Sequence, residues 1–193
     1  MSIRFRLATS AIIAAVLSSG PSLKGQTNGV QEDFTASAIT NNEFGAGANN
    51  VQIQVTRWST EKERAALVDT LLKKGPDALL KQLMDAKSVG IIKTPDSLGY
   101  DLRYAYQTPM EDGGRSIVLA TDRPIGFWEA SNQPRTIQYP FTVIQMQLDR
   151  DGKGKGTLSY ATKITARGKT IELENFATAP TMLTNIEAHP HKR

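Results

Sequence analysis

Val51-Gln-Ile-Gln-Val-Thr-Arg-Trp-Ser-Thr-Glu-Lys-Glu63 changes its period in the middle. From Val51 to Trp58 apolar and polar residues alternate, which puts Val51, Ile53 and Val55 on one side of an extended chain and marks a strand with one buried face. Ser59 and Thr60 then interrupt the alternation. Thr60, with Glu63 three residues later, is the capping-box pattern that starts a helix. Glu61 and Glu63 suit the positive N-terminal end of a helix dipole, and Lys73 and Lys74 its C-terminal end. A helix is therefore expected over 61–74, stopped by Gly75, with Pro76 placed to open a second one. Ala65, Val68, Leu71 and Leu72 on the first helix, and Leu79, Leu80 and Leu83 on the second, give each an apolar stripe, so the pair forms a helical hairpin.

After Lys87 period two returns and persists. Strands are expected at 90–93, 100–107, 115–122, 141–149, 157–166, 170–176 and 182–187. Turn-forming runs separate them, among them Asp112-Gly113-Gly114, Asp149 to Gly156 and Arg167-Gly168-Lys169. Short connections between successive strands require antiparallel neighbours. The fold class is α+β: an antiparallel β meander, able to curl into a barrel, with one helical hairpin inserted after the first strand. Residues 51–188 form one domain. The Asn-, Gly- and Thr-rich stretch 26–50 reads as a flexible leader, and 189–193 as a frayed tail.

The opening residues have a different character. Arg4 and Arg6 precede the uncharged apolar run Leu7 to Leu17, and small and helix-breaking residues follow from Ser18 to Gly25, the order of a secretory signal peptide. As a helix at about 1.5 Å per residue, that run reaches roughly half way across a hydrocarbon core of about 30 Å. Residues 1–25 are therefore expected to be removed after Gly25, leaving a secreted or periplasmic protein with no membrane span. The formal charge of +4 falls to +1 once Arg4, Arg6 and Lys24 are gone. The remaining basic residues are interspersed with acidic ones, which argues against a nucleic-acid partner. The chain has no cysteine, and its two histidines are His189 and His191. Disulfides, thiol chemistry and histidine-based triads or zinc sites thus lack their residues, and no cofactor is expected.

Thr56-Arg57-Trp58-Ser59-Thr60, the run Gly113-Gly114-Arg115 to Pro124, Glu174-Asn175-Phe176, Pro180 and Leu183-Thr184-Asn185 together resemble a family of uncharacterised exported bacterial proteins. The resemblance extends over nearly all of the chain beyond residue 25. It implies a single exported domain and, the family having no assigned activity, no site residue.

Four groups of residues have the chemistry of a site. Asp122 and Glu129 can act as paired carboxylates across a glycosidic bond, with Trp128 as a stacking platform; the alternative is an Asp122–Arg123 ion pair beside a packed Trp128. Tyr100, Leu102, Tyr104 and Tyr106 fall on one face of the strand 100–107 and can line an apolar cavity or form part of an ordinary core. Asp149, Asp151 and Gly154 match the first, third and sixth positions of a calcium loop. Lys153 at the fifth and Tyr160 at the twelfth break the match, so a hairpin turn is the better reading. Gly113-Gly114-Arg115 can bring backbone to an anion, although a strand follows it where a phosphate loop has a helix. The expected function is a non-enzymatic binding or interaction domain holding a hydrophobic ligand or an envelope protein. The alternative is a carboxylate-dependent hydrolase of envelope polymers or glycans, and a third use is a strand edge open to self-assembly.

Overall fold

The computed structural model describes residues 30–42, 45–94, 98–124, 139–168, 170–175 and 179–190. The expected signal peptide, Trp128, Glu129 and His191 lie outside them. In chain order the elements are β1 (Glu32–Asn42), β2 (Gly45–Val55), α1 (Glu61–Lys74), α2 (Pro76–Met84), β3 (Gly90–Lys93), β4 (Tyr100–Leu102), β5 (Tyr104–Pro109), β6 (Arg115–Ala120), β7 (Phe141–Leu148), β8 (Lys153–Arg167), β9 (Thr170–Asn175) and β10 (Thr181–Pro190).

All the strand pairs are antiparallel, and the order is β4-β3-β2-β1-β10-β8-β7-β6-β5, with β9 on the far half of β8. Two meanders, β1 to β4 and β5 to β8, are therefore joined by β10. The sheet curls into a nearly closed barrel with one seam, between β4 and β5. Bulges help it bend, since an extra residue on one strand increases local twist. One lies in β10 between Leu183 and Ile186, where Asn185 takes a positive φ of 50°, a conformation Asn tolerates better than most residues. Gly154 and Gly156 lie in β8, where an added Cβ would run into the backbone of β7. The turn after β7 is thus shorter than the glycine-rich sequence suggests, because these glycines permit a close strand approach.

The segment expected to be a flexible leader is the largest correction. Residues 32–42 are a full strand pairing with β2 along its whole length and with β10 on the other side. Phe34, Ala36 and Ala38 point inward and are buried. Small alanines and neighbouring Thr, Ser and Asn disguise the alternation in the sequence. The helical hairpin consequently follows the second strand. The tail is corrected as well: His189 and Pro190 belong to β10 and pair with Asp33 and Glu32.

The interior is filled by Phe34, Ile53, Ile92, Leu102, Ile117, Leu119, Ile144, Met146, Leu148 and Leu158, all essentially inaccessible. A second core lies outside the barrel. There Leu71, Leu79 and Leu83 of the helical hairpin cover Phe141, Val143 and Ile164 of β7 and β8, with Leu67, Tyr104, Val118, Ile171 and Leu173 at its margin. The capping box forms as expected: the Thr60 hydroxyl accepts the Glu63 N–H at 3.2 Å, and Glu63 accepts the Thr60 N–H at 2.7 Å. The packing stripe of α1 differs from expectation, because Ala65 and Leu72 are exposed while Leu67 and Leu71 face the sheet. Gly75, at φ 83°, lets the chain reverse into α2.

Candidate functional site

The tyrosine stripe expected on one strand is divided between two. β4 pairs with β3 and β5 with β6, so the chain crosses the seam between them at Arg103. The Arg103 N–H donates to the Ala120 carbonyl (2.9 Å), and the Leu102 carbonyl accepts the Val89 N–H (2.8 Å). This break shifts the alternation by one residue. Tyr100 packs with Leu102 against the interior cluster, whereas Tyr104 packs against the outer core. The tyrosines therefore do not line one lumen.

Tyr104 and Tyr106 meet a different set of partners on the outer surface. Their rings stack 6.2 Å apart at 11°. The Tyr106 hydroxyl donates to Glu61 at 2.5 Å, the Arg64 guanidinium lies 5.2 Å from the Tyr106 ring centre, and Arg64 also pairs with Glu61 at 3.0 Å. Burial pushes the Tyr104 hydroxyl far above its ordinary range, against the opposing pull of Arg64. Burial and the Glu61 carboxylate raise Tyr106 as well. Phenols held protonated in this way bind the first turn of α1 to β5, a docking contact between the helix and the barrel. A similar contact fixes β9: Tyr139 donates to Glu174 at 2.6 Å, which with burial pushes its hydroxyl up to about 12.

Asp122 is committed to Arg103. Its carboxylate is only 7% exposed and accepts from Arg103 Nε at 3.2 Å, while Arg123 lies 3.7 Å from its other oxygen. Arg103 in turn reaches Asp101 at 3.5 Å and donates to the Ala86 carbonyl at 3.1 Å, so it ties the seam to the end of the helical hairpin. The ion-pair alternative for Asp122 fits this geometry. Glu129, the other half of the carboxylate pair, lies outside the described residues.

Asp149 is a turn residue. Its Oδ1 accepts the N–H groups of Asp151 and Lys153, both at 2.9 Å, and Gly152 takes a φ of 76°. Lys153 leans toward Glu187 at 3.8 Å. Among the described residues no three His, Cys, Asp or Glu side chains gather to hold a metal ion. His189 Nε2 lies 3.4 Å from the Thr35 hydroxyl.

Two of the turns singled out in the sequence do come together. The Gly113-Gly114-Arg115 turn and the Asp149-to-Gly152 turn are adjacent hairpins at one end of the barrel, and they border an open depression of about 290 Å³ with Gln107 and Pro109. Arg115 grips Glu32 through both ends of its guanidinium, at 2.8 and 3.0 Å, and also donates to Gln107 at 2.8 Å. Arg150 lies on the exposed rim, its Nε donating to the Asp112 carbonyl at 2.6 Å. The Gly114 N–H is taken by Asp112 and that of Gly113 by the Met110 carbonyl. The backbone donors that would approach an anion are thus engaged within the turn. Sequence reasoning could not reach the Arg115–Glu32 fork, because Glu32 falls in the stretch read as a leader. Ser59 was missed as well: it bridges the seam, its N–H donating to the Ala105 carbonyl (2.7 Å) and its hydroxyl accepting the Ala105 N–H (3.1 Å).

Compared with family models, curated proteins and solved structures, the chain matches none.

Proposed function

We propose that this chain is an exported, non-enzymatic interaction domain of the bacterial envelope or secreted fraction, and that it meets its partner with its outer surface. The observation that carries this reading is the filled barrel. The inward side chains of the strands pack on one another, so a hydrophobic ligand held inside would have to displace the core. Of the two carboxylates that would serve a hydrolase, Asp122 is already held by Arg103, which supports the same reading. Export rests on the order of Arg4 and Arg6, the apolar run from Leu7 to Leu17, and the small residues up to Gly25. Among the described residues no helix is long and apolar enough to cross a membrane.

The test is native mass spectrometry, with extraction of lipids, on protein recovered from the producing cell. The expected result is a polypeptide beginning at Gln26 with no lipid or small molecule attached. A stoichiometric hydrophobic ligand, or an uncleaved chain retained in the cytoplasm, overturns the reading.

A further inference from the structure

We infer that the free edge of β2 is a docking surface for a second copy of this chain, pairing strand to strand about a two-fold axis at Ala48. β3 covers β2 only from Gln52 to Val55. Among the described residues nothing pairs with Gly45 to Val51 on that side, although β1 holds their other edge throughout. Among the described residues, the strands at the ends of the sheet are protected. β4 and β5 face each other across the seam, which Ser59 and Arg103 bridge, and β9 carries Glu172 and Glu174. Natural edges are usually blunted by charge, proline or bulges. The run Gly45-Ala-Gly-Ala-Asn-Asn-Val51 has none of these, and it stays in register with β1 throughout.

The outer face supplies the second argument. Ile39 and Met182 are each 45% exposed, large for apolar side chains on a barrel wall. They are direct cross-strand partners, and the other partner of Ile39 is Ala48. Partners directly opposite share a face, so Met182, Ile39 and Ala48 form one exposed row that ends at the free edge. An antiparallel pairing about Ala48 keeps the outer faces on the same side. It sets Gly47 against Asn49, Ala46 against Asn50 and Ala48 against its own copy. The row then runs unbroken through both copies, from Met182 to Met182. No like charges meet in this register, and such an interface is isologous, so assembly stops at two. One short strand pair lies at the small end of specific interfaces, below about 1,200 Å², which makes the dimer a weak one.

This inference rests on the proposal that the outer surface does the work, and it can fail independently of it. Sedimentation velocity of the protein recovered after export, from ~1 μM to ~1 mM, should show the mass rising from one chain toward two. Ala48→Lys and Ala48→Asp should each stay monomeric across that range with unchanged far-ultraviolet circular dichroism. An equimolar mixture of the two should restore the dimer, because the substituted side chains then meet with opposite charge. A monomer at all concentrations, a dimer indifferent to both substitutions, or a mixture that stays monomeric overturns the inference. A bound lipid would instead count against the functional reading and leave the edge untouched.

Discussion

The two meanders bury their strands differently. Along β7 and the middle of β8 both faces are covered, because the barrel interior lies on one side and the core under α1 and α2 on the other. β7, Phe-Thr-Val-Ile-Gln-Met-Gln-Leu, is accordingly buried at six of its eight positions. In β1 to β4 the second face is open, so β1 alternates between buried Phe34, Ala36 and Ala38 and polar residues between them. A near-continuous apolar strand marks where a second layer lies, and a strictly alternating one marks where it does not. The open half, lacking that second layer, also carries the edge of β2 that has no partner among the described residues.

This contrast can be tested by truncation on each side of it. Phe141→Ala removes a side chain from under the helices, and Phe34→Ala removes one from the barrel interior; each should cost about 3–5 kcal/mol in urea-induced unfolding. If Phe141→Ala costs less than about 1 kcal/mol, the helices do not seal the second half. Ser59→Ala strips a buried N–H of Ala105 of its acceptor and should cost about 1–3 kcal/mol. Because Ser59 joins the halves across the seam, hydrogen exchange at β5 should quicken in that variant. No such change would mean that the seam is held by other contacts. Thr60→Ala removes only the helix cap and should cost about 1 kcal/mol, with the loss concentrated in exchange protection over α1. The smallest effect is at alkaline pH. The unfolded chain ionises Tyr104 near its ordinary value, while burial keeps the folded form protonated. The native state then holds more protons, and stability falls as pH rises above about 10. Tyr104→Phe should reduce that slope; an unaltered slope would place Tyr104 in water.

Much of the fold was legible in the sequence. The Thr60–Glu63 box, Gly75 and Pro76 set the helical hairpin, and the turns at Gly113 and Gly168 set the later strands, while the strand expected to reach Trp58 ends at Val55. What escaped was of two kinds. β1 escaped because its inward residues are mostly alanine, which carries little periodic signal although it fits the narrow interior. The seam escaped because nothing local distinguishes Arg103 from its neighbours. Its role comes from partners distant in sequence, Ala120 and Asp122, and the phase of the tyrosines follows from that. The candidate sites behaved in the same way. Asp149 kept its predicted turn, since that depends on four adjacent residues, whereas the Arg115–Glu32 fork needed the closure of the whole barrel to become visible.

The position of β10 has a consequence for how the chain reaches this shape. Each meander can form from neighbours in sequence within a short time of being made, but among the described strands it is β10 that joins them into one sheet, pairing with β1 on one side and β8 on the other. Contacts between such distant segments form late and slowly, because a long loop must be closed before they yield anything. Until Thr181 to Pro190 is in place, one edge of β1 and the Lys153-to-Leu158 edge of β8 have no strand partner. A chain cut before β10 should therefore aggregate, through the strand edges that β10 would have covered.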